Sequence, residues 1–190
     1  QSAGSFQGAT GDYGTLLFTN GAYRLTETNG VLYAFRSTRQ LDYIQDKIGN
    51  RITATYNALN QLTNLAHSGS NSFQFTYNEH GRISSFTDHV GRVSYFGYDL
   101  TGEHLTLVTH ASGLSTHYEY TAGGSYLVND RLAAVLSPDG TERHYSYDEE
   151  GRVVLQTGKG SRNPTRYVYG TDGSTRTEDA MGNGTTVYYG

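Results

Sequence analysis

Aromatic residues recur along this chain at a nearly fixed interval, and that interval restricts what the chain can fold into more than any other feature. They stand at Phe35, Tyr56, Tyr77, Tyr98, Tyr120, Tyr147, Tyr169 and Tyr189, with successive gaps of 21, 21, 21, 22, 27, 22 and 20 residues. Self-similarity at such a period marks a repeat architecture, in which one small unit buries its apolar face only by stacking on its neighbours. Two positions before each aromatic stands a second column: Tyr33, Ala54, Phe75, Phe96, Tyr118, Tyr145, Tyr167 and Val187. Side chains alternate between the two faces of a strand, so each such pair shares one face while Thr76, Glu119 and Ser146 point to the other. A third, apolar column follows at Leu41, Leu62, Ile83, Leu105, Leu132 and Val153. The short segment between aromatic and aliphatic is then a turn, and the unit is a hairpin.

The turns share a grammar of their own. Asn78 to Gly81, Asp99 to Gly102 and Asp148 to Gly151 each begin with an acid or amide and end three residues later on glycine. The short polar side chain accepts backbone N–H bonds, and the glycine tolerates positive φ. The far end of the hairpin repeats the pattern from Glu27 to Gly30, Asp46 to Gly49, Asp88 to Gly91, Ser137 to Gly140 and Asp179 to Gly182, with His110 to Gly113 departing only at its first residue. Two stretches break the rule: residues 121–131, where the turn is longer by about six residues, and Gly158 to Pro164, which lacks the turn acid. Both are expected to be loops, where specificity on a regular scaffold usually resides. Residues 1–17 fit no repeat and read as an N-terminal cap or linker, leaving 18–190 as the hairpin array.

Written out, the unit is Tyr-[Asp/Asn]-x-x-Gly-Arg-[Ile/Val/Leu]. At Tyr77-Asn78-Glu-His-Gly81-Arg82-Ile83 and Tyr147-Asp148-Glu-Glu-Gly151-Arg152-Val153 it resembles the YD repeats of the Rhs and teneurin families, and the resemblance covers roughly residues 18 to 189. It implies an all-β fold, a tandem array of about eight hairpins forming a spiral β-solenoid or a segment of a shell. In large bacterial members of such families the shell encloses a C-terminal toxin; in teneurins it supports adhesion. This chain departs from the toxin pattern in showing neither the Asp-Pro motif of the self-cleaving core nor a variable effector after Tyr189. About 16 strands spaced roughly 4.8 Å apart make roughly 77 Å of sheet, which closed once gives a ring about 25 Å across with little room for a guest. A filled solenoid or an arc of a larger shell is therefore expected.

Composition narrows the function. A net charge of -4 and a pI near 5.9 provide no basic field for nucleic acid. No apolar run approaches a membrane span, residues 1–11 lack signal-peptide character, and any export signal is expected outside this chain. With no cysteine there is no disulfide or thiolate chemistry. The histidines at 67, 80, 89, 104, 110, 117 and 144 are scattered without metal-ligand spacing, and the turn acids match neither an EF-hand loop nor a Gly-Gly-x-Gly-x-Asp nonapeptide, so no metal or other cofactor is expected. No nucleophile elbow, zinc motif or phosphate loop appears, and repeated acids obey a structural rule that catalytic ones tend to break.

The strict register makes the tyrosines a packing ladder before a sugar-stacking face. Tyr13 and Tyr126, outside the columns, are the candidate ligand contacts, with Tyr23 and Tyr43 behind them. The structural set is the eight aromatics with Gly49, Gly81, Gly91, Gly102 and Gly151. Arg82 and Arg152, like Arg92 and Arg131, are expected to pair with a turn carboxylate of the next repeat. The sequence thus reads as a non-catalytic structural, adhesion or ligand-binding module, secreted or at the cell surface, with a protein or cell-surface glycan as partner. The alternatives are an arc of an Rhs toxin shell and a fibre subunit associating through its strand edges.

Overall fold

The computed structural model describes residues 4–6, 9, 11, 13–123 and 126–188. Tyr189 and, within the lengthened turn, Gly124 and Ser125 lie outside them. Among the described residues there are two compact units, Gln1–Val93 and Ser94–Gly190. Each is built from antiparallel strands that pair with their sequence neighbours, as the hairpin reading requires.

The first unit contains β1 (Gly4–Phe6), β2 (Thr15–Thr19), β3 (Ala22–Thr26), β4 (Leu32–Phe35), β5 (Leu41–Gln45), β6 (Arg51–Tyr56), β7 (Leu62–His67), β8 (Ser72–Tyr77) and β9 (Ile83–Thr87). The second opens on β10 (Val93–Tyr98) and continues through β11 (Leu105–Thr109), β12 (Ser115–Tyr120), β13 (Leu132–Leu136), β14 (Glu142–Tyr147), β15 (Val153–Thr157), β16 (Thr165–Tyr169), β17 (Ser174–Glu178) and β18 (Gly184–Tyr188). A single 3-10 turn at Lys159–Ser161 is the one helical element described. The hairpins that the sequence reading begins at Phe35 through Tyr169 are β4–β5, β6–β7, β8–β9, β10–β11, β12–β13, β14–β15 and β16–β17; the eighth, at Tyr189, lies outside the described residues, and β2–β3 precedes the first. In the segment before residue 18 lie β1 and most of β2, which pair with each other.

Strand alternation sorts the side chains as the columns predict. In the first unit Leu16 opposes Leu25, Phe18 opposes Tyr23, Ala54 opposes Leu65 and Phe75 opposes Phe86. On the other face Thr55 opposes Asn64, Gln74 opposes Thr87 and Thr76 opposes Ser85. The second unit repeats the split: Phe96 opposes Val108 and Tyr118 opposes Val135, while His144 opposes Thr157 and Arg166 opposes Glu178. Burial is shallow, since each face of such a ladder is covered mainly by adjacent strands. The buried apolar residues are Ala34, Ala54 and Ala134, and no large side chain is fully buried among the described residues.

Candidate functional site

Each hairpin joins its aromatic directly to its aliphatic column. Phe35 pairs with Leu41, Tyr56 with Leu62, Tyr77 with Ile83, Tyr98 with Leu105, Tyr120 with Leu132 and Tyr147 with Val153, and the register slips by one residue at every one of these aromatics. An extra residue at the same place in each of these six hairpins is a regular β-bulge, which sharpens local twist, whereas Tyr169 pairs with Thr175 without one.

The tyrosine reaches back to the preceding hairpin. Its hydroxyl donates to the carbonyl of the residue fifteen positions earlier: Tyr56 to Leu41 at 2.9 Å, Tyr77 to Leu62 at 2.7 Å, Tyr120 to Leu105 at 3.0 Å and Tyr147 to Leu132 at 2.7 Å. Tyr169 makes the same bond to Val153 at 2.8 Å over sixteen residues. The carbonyl partner is the aliphatic residue paired with the previous aromatic, so the ladder links hairpin to hairpin at one fixed position. Burial pushes the Tyr77, Tyr120 and Tyr147 hydroxyls above their ordinary value of 10.0, which keeps them protonated as donors.

The turns are three-residue bulge loops, with one residue more in the turn that Asp99 closes onto His104. Backbone bonds join Gly81 to Asn78 at 3.0 Å, Gly91 to Asp88 at 3.0 Å, Gly102 to Asp99 at 3.1 Å, Gly151 to Asp148 at 3.0 Å and Gly49 to Asp46 at 3.2 Å, in each case N–H to carbonyl. All five glycines have positive φ, between 72° and 97°. The leading side chain caps the loop: Asp148 Oδ1 accepts from the amides of Glu150 and Arg152 at 3.1 and 2.9 Å, and Asp46 Oδ1 from those of Ile48 and Asn50 at 2.9 Å each. The side-chain amide of Asn50, together with these N–H groups, lowers the Asp46 carboxyl from its ordinary value.

The arginines correct one expectation. Arg152 Nε donates to Asp148 Oδ2 at 2.8 Å and Arg92 Nε to Asp88 Oδ2 at 2.7 Å, within their own turns and not to the next repeat. The tight loop brings its first and fifth residues together, so the nearest carboxylate is the local one. What Arg152 extends to the following hairpin is its guanidinium face, 4.5 Å from the centre of the Tyr169 ring. Arg82 takes the same position, its amide donating to Asn78 Oδ1 at 2.9 Å.

The lengthened turn keeps the ladder in register. Thr121 donates its amide to the Arg131 carbonyl at 2.8 Å, its hydroxyl accepts from the Arg131 amide at 3.0 Å, and Arg131 Nε holds the Leu127 carbonyl at 2.9 Å. Beside it, His104 sits between Asp99, 2.8 Å from Nδ1, and Asp130, 3.5 Å from Nε2, with its ring 4.5 Å from that of Tyr120. The His104 hydrogen bond holds Asp99 well below the usual carboxylate range, and Asp99 raises His104 above 6.5. Tyr13 and Tyr126 are 79% and 88% exposed and stand outside the ladder.

Several turns escaped the sequence rule because glycine is absent from their fourth position. Arg39, Asn60 and Ser70 occupy that place with φ of 69°, 62° and 74°, and each donates its amide to a carbonyl three residues back. The β2–β3 loop is different again: Asn20 and Gly21 both have positive φ, 54° and 77°, the two-residue hairpin turn that an Asn-Gly pair favours. That dipeptide was a readable signal.

A family profile for Teneurin YD-shell matches residues 26–157, more than half of the chain. The chain belongs to the teneurin YD-shell family. Solved structures agree on the fold. The TcdB2-TccC3-Cdc42 crystal structure superposes with a TM-score of 0.60 at 14% identity, over 91% of this chain and 11% of that one. TcdB2-TccC3 without its hypervariable C-terminal region gives 0.59 at 11% identity, over 94% of this chain and 10% of that one. A Photorhabdus luminescens Tc holotoxin pore gives 0.55 at 15% identity, over 88% of this chain and 10% of that one. This YD-shell chain thus spans about a tenth of the length of the structures it resembles. No curated protein matches it in sequence.

Proposed function

We propose that this chain is a non-catalytic arc of wall in a larger YD-repeat shell that works outside the cell. The observation that carries the reading is the hydroxyl-to-carbonyl link repeated at Tyr56, Tyr77, Tyr120, Tyr147 and Tyr169, because it joins each hairpin to the one before it. Links of this kind are additive in a quasi-one-dimensional array and give stiffness along it. Side chains tie successive turns as well: Gln40 Nε2 donates to the Asn60 carbonyl at 3.0 Å and Gln61 Nε2 to that of Gly81 at 3.4 Å. Strand residues are also spent on ladder and turn geometry, which fits a wall. Tyr13 and Tyr126, exposed and outside the ladder, are the proposed contacts with a protein partner.

Electron cryomicroscopy of the full-length parent polypeptide tests the reading. These residues should appear as consecutive strands in the wall of a closed shell, and the parent should turn over no substrate through them. A parent in which the array stands free as a stalk, or polymerises through its strand edges, would overturn it.

A further inference from the structure

The repeat rule fails three times at one place, the first aromatic unit. The ladder position holds Phe35, which has no hydroxyl to reach back with, and the turn after it opens on Arg36 and carries Arg39 where most turns carry glycine. Arg36 is absorbed by the fold: its Nε donates to Asp42 Oδ1 at 3.3 Å and its Nη2 to the Ala54 carbonyl at 2.7 Å. Arg39 is not. Its backbone is left-handed, with φ of 69°, and its exposed guanidinium makes no hydrogen bond or ion pair among the described residues. Left-handed backbone costs energy for any residue with a Cβ, and Asn60, in the same place one repeat later, at least is of a type that tolerates it. Strain of this kind clusters at ligand clamps, and departures from a local rule concentrate where a chain has a function to serve.

Arg39 lines a hollow of about 550 Å³ in the first unit, together with Leu16, Tyr23, Leu25 and Phe35. That volume lies within the range of roughly 300–1,000 Å³ usual for small-ligand sites. The apolar walls are set by the strands and their rings. Leu16 opposes Leu25 across β2 and β3, and the Tyr23 ring packs against those of Phe18 at 4.8 Å and Phe6 at 5.9 Å. All four wall residues are half-buried, and no carboxylate among the described residues lines the hollow, so the charge of Arg39 is unmatched there. A cation would be repelled. A sugar would set most of its hydroxyls against Leu16, Leu25 and Phe35, where they would go unpaired. A peptide would bring amides to a turn whose own are already committed, Arg36 N–H to the Gln40 carbonyl at 2.8 Å and Arg39 N–H to the Arg36 carbonyl at 2.9 Å. An apolar body with one anionic end suits both parts of the site, by burial against the walls and by a charge-assisted bond to the guanidinium fork. We propose that this hollow binds a small apolar carboxylate, its hydrocarbon body against Leu16, Leu25 and Phe35 and its carboxylate on Arg39. The site goes beyond the wall reading and does not depend on it.

Titration of the chain with octanoate, followed by NMR amide shifts, tests the proposal beside 1-octanol, octylammonium and acetate, which remove in turn the charge, its sign and the hydrocarbon body. The tripeptide glycylglycylleucine serves as the peptide control. Octanoate should bind and move the amides of Leu16, Leu25 and Arg39, with each of the other probes weaker by about tenfold or more. Arg39→Gly should weaken octanoate binding by a similar factor while raising the melting temperature, because the left-handed strain is relieved as the charge is lost. That combination separates a binding residue from a structural one. No octanoate binding at millimolar concentration, equal affinity for 1-octanol, tighter binding of the tripeptide, shifts centred elsewhere, or a lower melting temperature for Arg39→Gly would overturn it.

Discussion

The phenolic oxygen of Tyr147 lies 2.7 Å from the carbonyl oxygen of Leu132, the residue that pairs with the preceding aromatic, Tyr120. One bond thereby couples three positions of the repeat, and it survives the lengthened turn because the extra residues fall between Tyr120 and Leu132.

Removing that hydroxyl tests the ladder directly. Tyr147→Phe keeps the ring and leaves the Leu132 carbonyl without its donor, which should cost about 1 kcal/mol. Tyr77→Phe, which breaks the bond to Leu62, should cost the same. Tyr13→Phe, at a residue 79% exposed and outside the ladder, should cost nothing measurable. Urea unfolding followed by circular dichroism reads all three, and equal midpoints for the three variants would refute a structural role for the hydroxyls.

Two turn glycines should respond unequally to alanine. Gly91 and Gly151 have similar φ, 82° and 76°, so each substitution forces a left-handed alanine at about 1–2 kcal/mol. A Cβ at Gly91 would meet nothing within 4 Å, whereas at Gly151 it would strike the Leu127 carbonyl and come within 2.9 Å of the Arg131 guanidinium. Gly151→Ala should therefore be the more destabilising and should speed proteolysis within residues 121–131. Similar urea midpoints and cleavage rates would show that the lengthened turn does not rest on Gly151.

The sequence laid out strands, columns and most turns because each depends on local rules: alternation by two, and glycine where φ must be positive. The family resemblance followed from the same residues. The link from Tyr147 to Leu132 was out of reach, since periodicity shows that two columns exist and not that a hydroxyl of one hairpin reaches the backbone of the previous one. The Arg152–Asp148 pair was assigned to the wrong partner for a related reason, the loop being tight enough to bring its first and fifth residues together. The turns ending in Arg39 and Ser70 hid because their residue types do not advertise a left-handed backbone, and the one ending in Asn60 because the rule asked for glycine, although Asn also tolerates that region.

Ser70 offers a stabilising change. It holds φ of 74° in the place where other turns have glycine, and it is exposed. Relieving the left-handed conformation outweighs the extra freedom glycine brings to the unfolded chain, so Ser70→Gly should add about 0.5–1 kcal/mol. A higher melting temperature by calorimetry is the expected result. A lower one would mean that the Ser70 side chain, rather than its backbone, secures the His67 turn.

His104 and Asp99 should make stability depend on pH in a defined window. The His104 imidazole, bonded to Asp99 at 2.8 Å and facing Asp130 at 3.5 Å, has a folded value raised above 6.5. Its contribution is therefore complete below 6.5 and is lost as pH rises through the raised value. Asp99 is lowered from 3.8, so its contribution is complete above that value and is lost only as acid protonates the folded carboxylate. Between these limits the pair contributes most. An NMR titration of His104 should give a midpoint above 6.5, and Asp130→Asn should lower it by removing the second facing carboxylate. His104→Gln should flatten the decline in unfolding midpoint seen at higher pH, whatever it costs in packing against Tyr120. A His104 midpoint at or below 6.5 would show that Asp99 does not hold the proton on this ring.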